Sequence, residues 1–145
     1  MYQHILVAVD SSPTSHRALQ EAVELARNQR ARLRIVHVVD ETRIHGFEDD
    51  DERVEQLRAP GREILRVADA QCRQAGVDVE CRLLECRSDD ESIAGLLVAE
   101  AERWPADIVV LGTHGRTGLA HLLMGSVAEG VISACTRPVL LLRKV

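Results

Sequence analysis

The run DIVVLGTHGRTGLAHLLMGSVAEGVI, Asp107 to Ile132, decides the fold. Asp107–Leu111 has the composition of a short buried strand and stops at Gly112. Glycines at such a turn carry no Cβ, so backbone N–H groups can close around an anion. Further on, Ser126-Val127-Ala128-Glu129 is a capping-box pattern, which predicts a helix beginning at Ser126. The positive end of that helix then faces the space beyond the strand. Strand, glycine loop and helix N-terminus together make a phosphate-binding arrangement.

The same alternation of strand and helix repeats along the rest of the chain. Ile5–Val9 is an apolar strand followed by Asp10-Ser11-Ser12-Pro13, with Ser12 placed as N-cap and Pro13 as first helical residue. Ala18, Leu19, Ala22, Val23, Leu25 and Ala26 then recur at helical spacing. Leu33–Val39 reads as a second strand. Ile64, Leu65, Ala68, Cys72 and Ala75 mark a second helix, closed by Gly76 at C′. Val77, Val79, Cys81 and Leu83 alternate with Asp78, Glu80 and Arg82, the signature of an edge strand. Ser88-Asp89-Asp90-Glu91 is a further capping-box pattern ahead of Ile93, Leu96, Leu97 and Ala101, and Pro138–Leu142 is the last strand. Such an order predicts one α/β domain over residues 1–145, an open parallel five-stranded sheet with helices on both faces. Sheets of this kind take ligands at the carboxyl ends of strands where strand order reverses. Asp10 ends the first strand and Gly112 the fourth, so these two strands are expected to flank that point.

The glycine motif is neither a Walker A loop nor a GxGxxG dinucleotide fingerprint. It is G-x2-G-x9-G-S, on Gly112, Gly115, Gly125 and Ser126. With ILVAVDSSPTSHRAL, LRIVHVVD and RPVLLLRKV elsewhere in the chain, it resembles the nucleotide-binding branch of the universal stress protein family. The resemblance covers nearly the whole chain and is weakest over residues 41–61. It implies a Rossmann-like sheet of order 3-2-1-4-5, binding of ATP with Mg²⁺, and a homodimer through the C-terminal strand. It places the nucleoside on Ala8, Val9, Asp10 and Val38, and the phosphates on Leu111, Gly112, Thr113, His114, Gly115 and Arg116 together with Gly125, Ser126 and Val127. Ser11 stands where the family usually has glycine.

Each of these residues also has a plainer reading. Asp10 either accepts hydrogen bonds from a ribose, or helps hold its metal, or serves as a turn residue bonding nearby N–H groups. Arg116 either pairs a phosphate bidentately or stands as a solvated loop cation. The Ser126 hydroxyl either caps the helix or touches phosphate. His37, inside an apolar strand, reads as structural.

Composition bounds what remains. Hydrophobic residues make up 46% of the 145, yet there is one Trp, one Tyr and one Phe, so the core is aliphatic. A net charge of −5 gives no nucleic-acid footprint. MYQHILVAVD opens on a strand without a signal-like leader, and no apolar run is long enough to span a bilayer, so a cytoplasmic location is expected. Cys72, Cys81, Cys86 and Cys135 form no CxxC pair and read as reduced thiols. Residues 41–55 are strongly acidic and offer oxygen ligands for a metal or partner, or a cover over the nucleotide, but lack the calcium-loop spacing and read first as a solvated loop. The function expected is that of a nucleotide-binding regulatory protein of stress response. A slow ATPase or nucleotidyl-transfer enzyme is the alternative on the same scaffold, and a nucleotide-free interaction protein is the third reading. No Walker lysine and no general base beyond Asp10 is present to drive turnover.

Overall fold

The computed structural model describes residues 1–42, 51–114 and 124–143. Along the chain run β1 (His4–Ala8), α1 (Pro13–Gln29), β2 (Arg32–Asp40), α2 (Asp51–Gln74) and β3 (Val79–Cys86). They are followed by α3 (Ile93–Arg103), β4 (Ile108–Gly112), α4 (Ser126–Ala134) and β5 (Val139–Leu142). The five strands form one sheet in the order β3-β2-β1-β4-β5. Every pairing is parallel, as helix-length crossovers require. β3 lies at one edge, where its polar alternation belongs, and β5 at the other.

The strands bury both faces. Ile5, Val7, Leu33, Ile35 and Val110 point into one apolar layer with Ala18, Leu19, Ala22 and Val23 of α1 and Leu65, Ala68 and Cys72 of α2. Leu6, Val36, Val109 and Leu111 point the other way, onto Leu97 and Ala101 of α3 and Ala128 and Val131 of α4. That division follows from the period of two along each strand.

Caps decide where the helices begin and end. Ser12 caps α1 by accepting the Ser15 N–H, with Pro13 opening the helix. Gly76, at φ 76°, closes the turn after α2. Three boundaries depart from the sequence expectation. α3 is capped by Ser92, whose hydroxyl accepts the Gly95 N–H, and not by Ser88. Ser88–Glu91 instead forms a turn of its own, in which the Glu91 carboxylate accepts the Arg87 N–H. α4 takes Gly125 as its N-cap, so Ser126 is already helical and its hydroxyl does not cap. α2 begins at Asp51, far ahead of Ile64, and runs through Pro60 and Gly61. Asp51–Glu55 is therefore helix and not loop, while residues 43–50 of the acidic stretch lie outside the described residues.

At the amino ends of the strands, Glu100 of α3 is almost wholly buried and bonds Arg34 of β2 at 2.8 Å. Arg82 and Arg103 also meet the same carboxylate, and Arg34 lies over the Trp104 ring, 4.9 Å from its centroid. Asp107 accepts the N–H groups of Gln3 and His4, which fasten β1 to the start of β4 and hold the Asp107 carboxyl below its usual range.

Candidate functional site

The site grows out of the turn between β1 and α1, where hydroxyl and carboxylate contacts close on one another. The Asp10 N–H donates to Ser15 Oγ at 2.8 Å, and the Ser15 hydroxyl donates back to the Asp10 carbonyl at 3.2 Å. Asp10 Oδ1 accepts the Ser12 N–H at 2.7 Å. The plainer reading of Asp10, a turn residue bonding its own loop, is thus realised in one of its oxygens. Ser12 and Thr14 then reach across to the neighbouring strand end, both donating to the His114 carbonyl. This ties the turn after β1 to the residues after β4 before any ligand arrives.

Gly112 is where those two segments touch. A Cβ there would lie 2.3 Å from Thr14 Oγ1 and 2.8 Å from the Thr14 carbonyl carbon. The glycine is thus required by the packing of α1 on β4. On the far side of the glycine segment, the Gly125 N–H donates to the Thr113 carbonyl at 2.6 Å and brings the chain back to the strand end it left.

Between these parts lies a cleft of about 380 Å³ at the carboxyl ends of β1 and β4. Its size is that of a small-molecule site. Ala8, Val9, Asp10, Val38, Leu111, Gly112, Thr113, His114, Gly125, Ser126 and Val127 all line it. Gly115 and Arg116, named from the sequence, lie outside the described residues. Ser11 is exposed and lines a different groove, so the family's usual glycine position does not face the cleft.

Because strands and helices run antiparallel in such a sheet, helix N-termini collect at its carboxyl edge. Ser12 at the start of α1, Ile93 at the start of α3, and Gly125 and Ser126 at the start of α4 all border the cleft. α4 has no side-chain cap, which leaves its first N–H groups to other acceptors. Three positive helix ends converge on one space in a chain of net charge −5.

Sequence reasoning did not single out Ser15, Ile93 and Leu97. The last two, one helical turn apart on α3, give the cleft an apolar wall with Val36 and Val38. Their periodicity marks a buried helix face but does not separate core from cleft. The hydroxyl run Ser11-Ser12-Pro13-Thr14-Ser15 was the available signal for the turn. His37 donates from Nδ1 to the Val9 carbonyl at 2.7 Å, a structural bond at the margin of the cleft. Among the described residues no group of three or more His, Cys, Asp or Glu is placed to hold a metal ion, and no helix is long and apolar enough to cross a membrane.

Fold and cleft define an open-sheet α/β protein with a small-molecule crevice at the switch point of its strand order. The sequence pattern of the universal stress protein family matches residues 1–143, and the chain belongs to that family. Universal stress protein MJ0531 of Methanocaldococcus jannaschii is 33% identical over 147 aligned positions, covering 99% of this chain and 84% of its own. A universal stress protein solved in complex with cAMP superposes with a TM-score of 0.73 at 28% identity, covering 98% of this chain and 97% of its own. The Archaeoglobus fulgidus universal stress protein in complex with dAMP gives 0.71 at 27% identity, covering 97% and 98%.

Proposed function

We propose that the protein binds an adenine nucleotide in this cleft, ATP with Mg²⁺ foremost, and acts as a regulatory binding protein of the stress response. The observation that carries the reading is the convergence of three helix N-termini on a cleft with an apolar wall. Val38, Ile93 and Leu97 suit a base, and the uncapped start of α4 suits a phosphate. The two relatives that hold cAMP and dAMP support the ligand class. The described residues of the cleft also fit Mg²⁺ carried in on a triphosphate, with Asp10 as the one carboxylate among them. The same lining argues for binding over turnover. Asp10 is the one candidate general base in the sequence, and one of its oxygens is already engaged by Ser12.

Calorimetric titration with ATP and Mg²⁺ tests this reading. Binding is expected in the parent and lost in Gly125→Val, because the branched side chain crowds the backbone that would approach phosphate. The sequence motif makes the same expectation for Gly115→Val. Equal affinity in well-folded variants would remove the phosphate loop from the site. Phosphate release at several per second, lost in Gly125→Val, would make the protein an enzyme.

The same reading includes a two-fold dimer through β5. Among the described strands, β5 pairs with β4 alone and leaves its outer edge open. Leu140 on that edge and Ile132 on α4 are exposed apolar side chains, 36% and 44% accessible. Pairing with a second copy would satisfy the strand edge by the commonest oligomer symmetry.

A further inference from the structure

The cleft is open on the face of α3 and α4, but one of its lips is held from the other face of the sheet. His37 shares strand parity with Leu33 and Ile35, so its ring lies toward α1 and α2, opposite Val36 and Val38. From there its Nδ1 reaches the Val9 carbonyl at 2.7 Å. A carbonyl only accepts, so Nδ1 carries the proton and the tautomer is fixed. Val9 immediately precedes Asp10, and both border the cleft.

The His37 ring is in turn boxed in by α2. A Cβ at Gly61 would stand 2.6 Å from His37 Cδ2, 3.1 Å from Nε2 and 3.0 Å from Leu83 Cδ1. Any side chain at position 61 therefore displaces the ring or the helix. Three residues earlier on the same helix, Arg58 is pinned to Glu85 of β3 at 2.7 Å and approaches Glu41 at 3.4 Å. That ion pair and the glycine contact together set how deeply α2 sits on β2 and β3.

We propose that Gly61 and His37 couple the seat of α2 to the nucleotide cleft, with His37 as a positioning residue that holds the Val9 carbonyl and thereby the Asp10 turn. The inference rests on the adenine-nucleotide reading of the cleft and adds a route by which it is regulated. Whatever shifts α2 shifts the lip of the cleft, and by reciprocity a nucleotide that fixes the lip steadies α2. Gly61 does not line the cleft and His37 does, so the effect of Gly61 on the ligand passes through His37.

The experiment compares Gly61→Ala, His37→Leu and His37→Asn with the parent in ATP and Mg²⁺ titrations, with thermal melts alongside. Alanine favours helix over glycine, so a weaker α2 does not explain a loss in Gly61→Ala. The expected result is a loss of affinity of about tenfold in Gly61→Ala and His37→Leu, the scale of one hydrogen bond. His37→Asn, which keeps an N–H donor near the Val9 carbonyl, is expected to recover most of it. Parent-like affinity in folded Gly61→Ala overturns the coupling, and equal losses in His37→Leu and His37→Asn overturn the role of the donor. Should Gly61→Ala not fold, Arg58→Gln, which loosens the seat of α2 away from the cleft, takes its place, and parent-like affinity in that variant overturns the coupling.

A second readout needs no nucleotide. Hydrogen exchange at the amides of Asp10 and Ser12 is expected to quicken in Gly61→Ala and in His37→Leu in the free protein. Unchanged exchange overturns the coupling even if the parent binds no ATP, an outcome that would sink only the nucleotide reading.

Discussion

Gly112 carries two meanings that a sequence motif merges. The motif assigns it to an anion loop, while the structure shows Thr14 filling the space a side chain would take. Gly112→Ala is therefore expected to destabilise the fold by about 1–3 kcal/mol, the range for overpacking. In a chain of this size that lowers Tm by roughly 2–4 °C per kcal/mol, which calorimetry would resolve. An unchanged Tm would mean that α1 yields at Thr14 without cost. Two thiols supply a second test at this scale. Burial pushes Cys72 from 9.0 up to about 12 and Cys81 up to about 11. Below pH 9 both are neutral whether the chain is folded or not, and their contribution is fully present. Above it the unfolded chain loses these protons first, so stability falls as pH rises from 9 toward 12. Denaturant midpoints measured from pH 8 to 11 should decline less steeply in a Cys72→Ala, Cys81→Ala double variant. Equal slopes would place the alkaline loss elsewhere.

Among the elements, α3 is seated through a buried carboxylate. Glu100, buried in its last turns, answers Arg34, Arg82 and Arg103. Glu100→Ala leaves Arg34, itself 11% exposed, with Glu80 as its remaining carboxylate, and a loss of about 1.5–3 kcal/mol is expected in urea unfolding. A loss under about 1 kcal/mol would reduce the cluster to a surface network. Helical spacing in the sequence pairs Arg103 with Glu100, three residues apart, but Arg34, 66 positions away, leaves no local pattern. The strands were legible because a sheet covered on both faces needs unbroken apolar runs, as in Ile5–Val9 and Ile108–Leu111. α1 was legible because Ser12-Pro13 states its cap in two residues. α2 was not. Pro60-Gly61 reads as a break, and its first turns are too acidic and exposed to show an apolar stripe. The helix continues through that pair because Pro60 is exposed and because His37 needs the room that Gly61 leaves. In the site, the glycines and Asp10 were visible as loop chemistry, whereas Ile93 and Leu97 carry the same pattern as any core helix.

At the scale of the whole molecule, the parallel sheet sends all its helix N-termini to one edge, and the candidate site stands there. The other exposed feature is the outer edge of β5. If two copies pair along it, sedimentation of the parent gives a dimer at micromolar concentration, and Leu141→Pro, which removes an N–H from that strand, gives a monomer. A monomeric parent would refute the pairing. The amino edge of the sheet has a use of its own. Trp104, the single tryptophan, is 8% exposed, packed edge-on against His4 and under the Arg34 guanidinium. β4 separates it from the cleft by five residues, roughly 16 Å of extended chain. Its emission is thus an optical gauge of whether the amino edge is assembled, blind to the occupancy of the cleft. Folding can therefore be followed by that emission with or without ligand in the cleft.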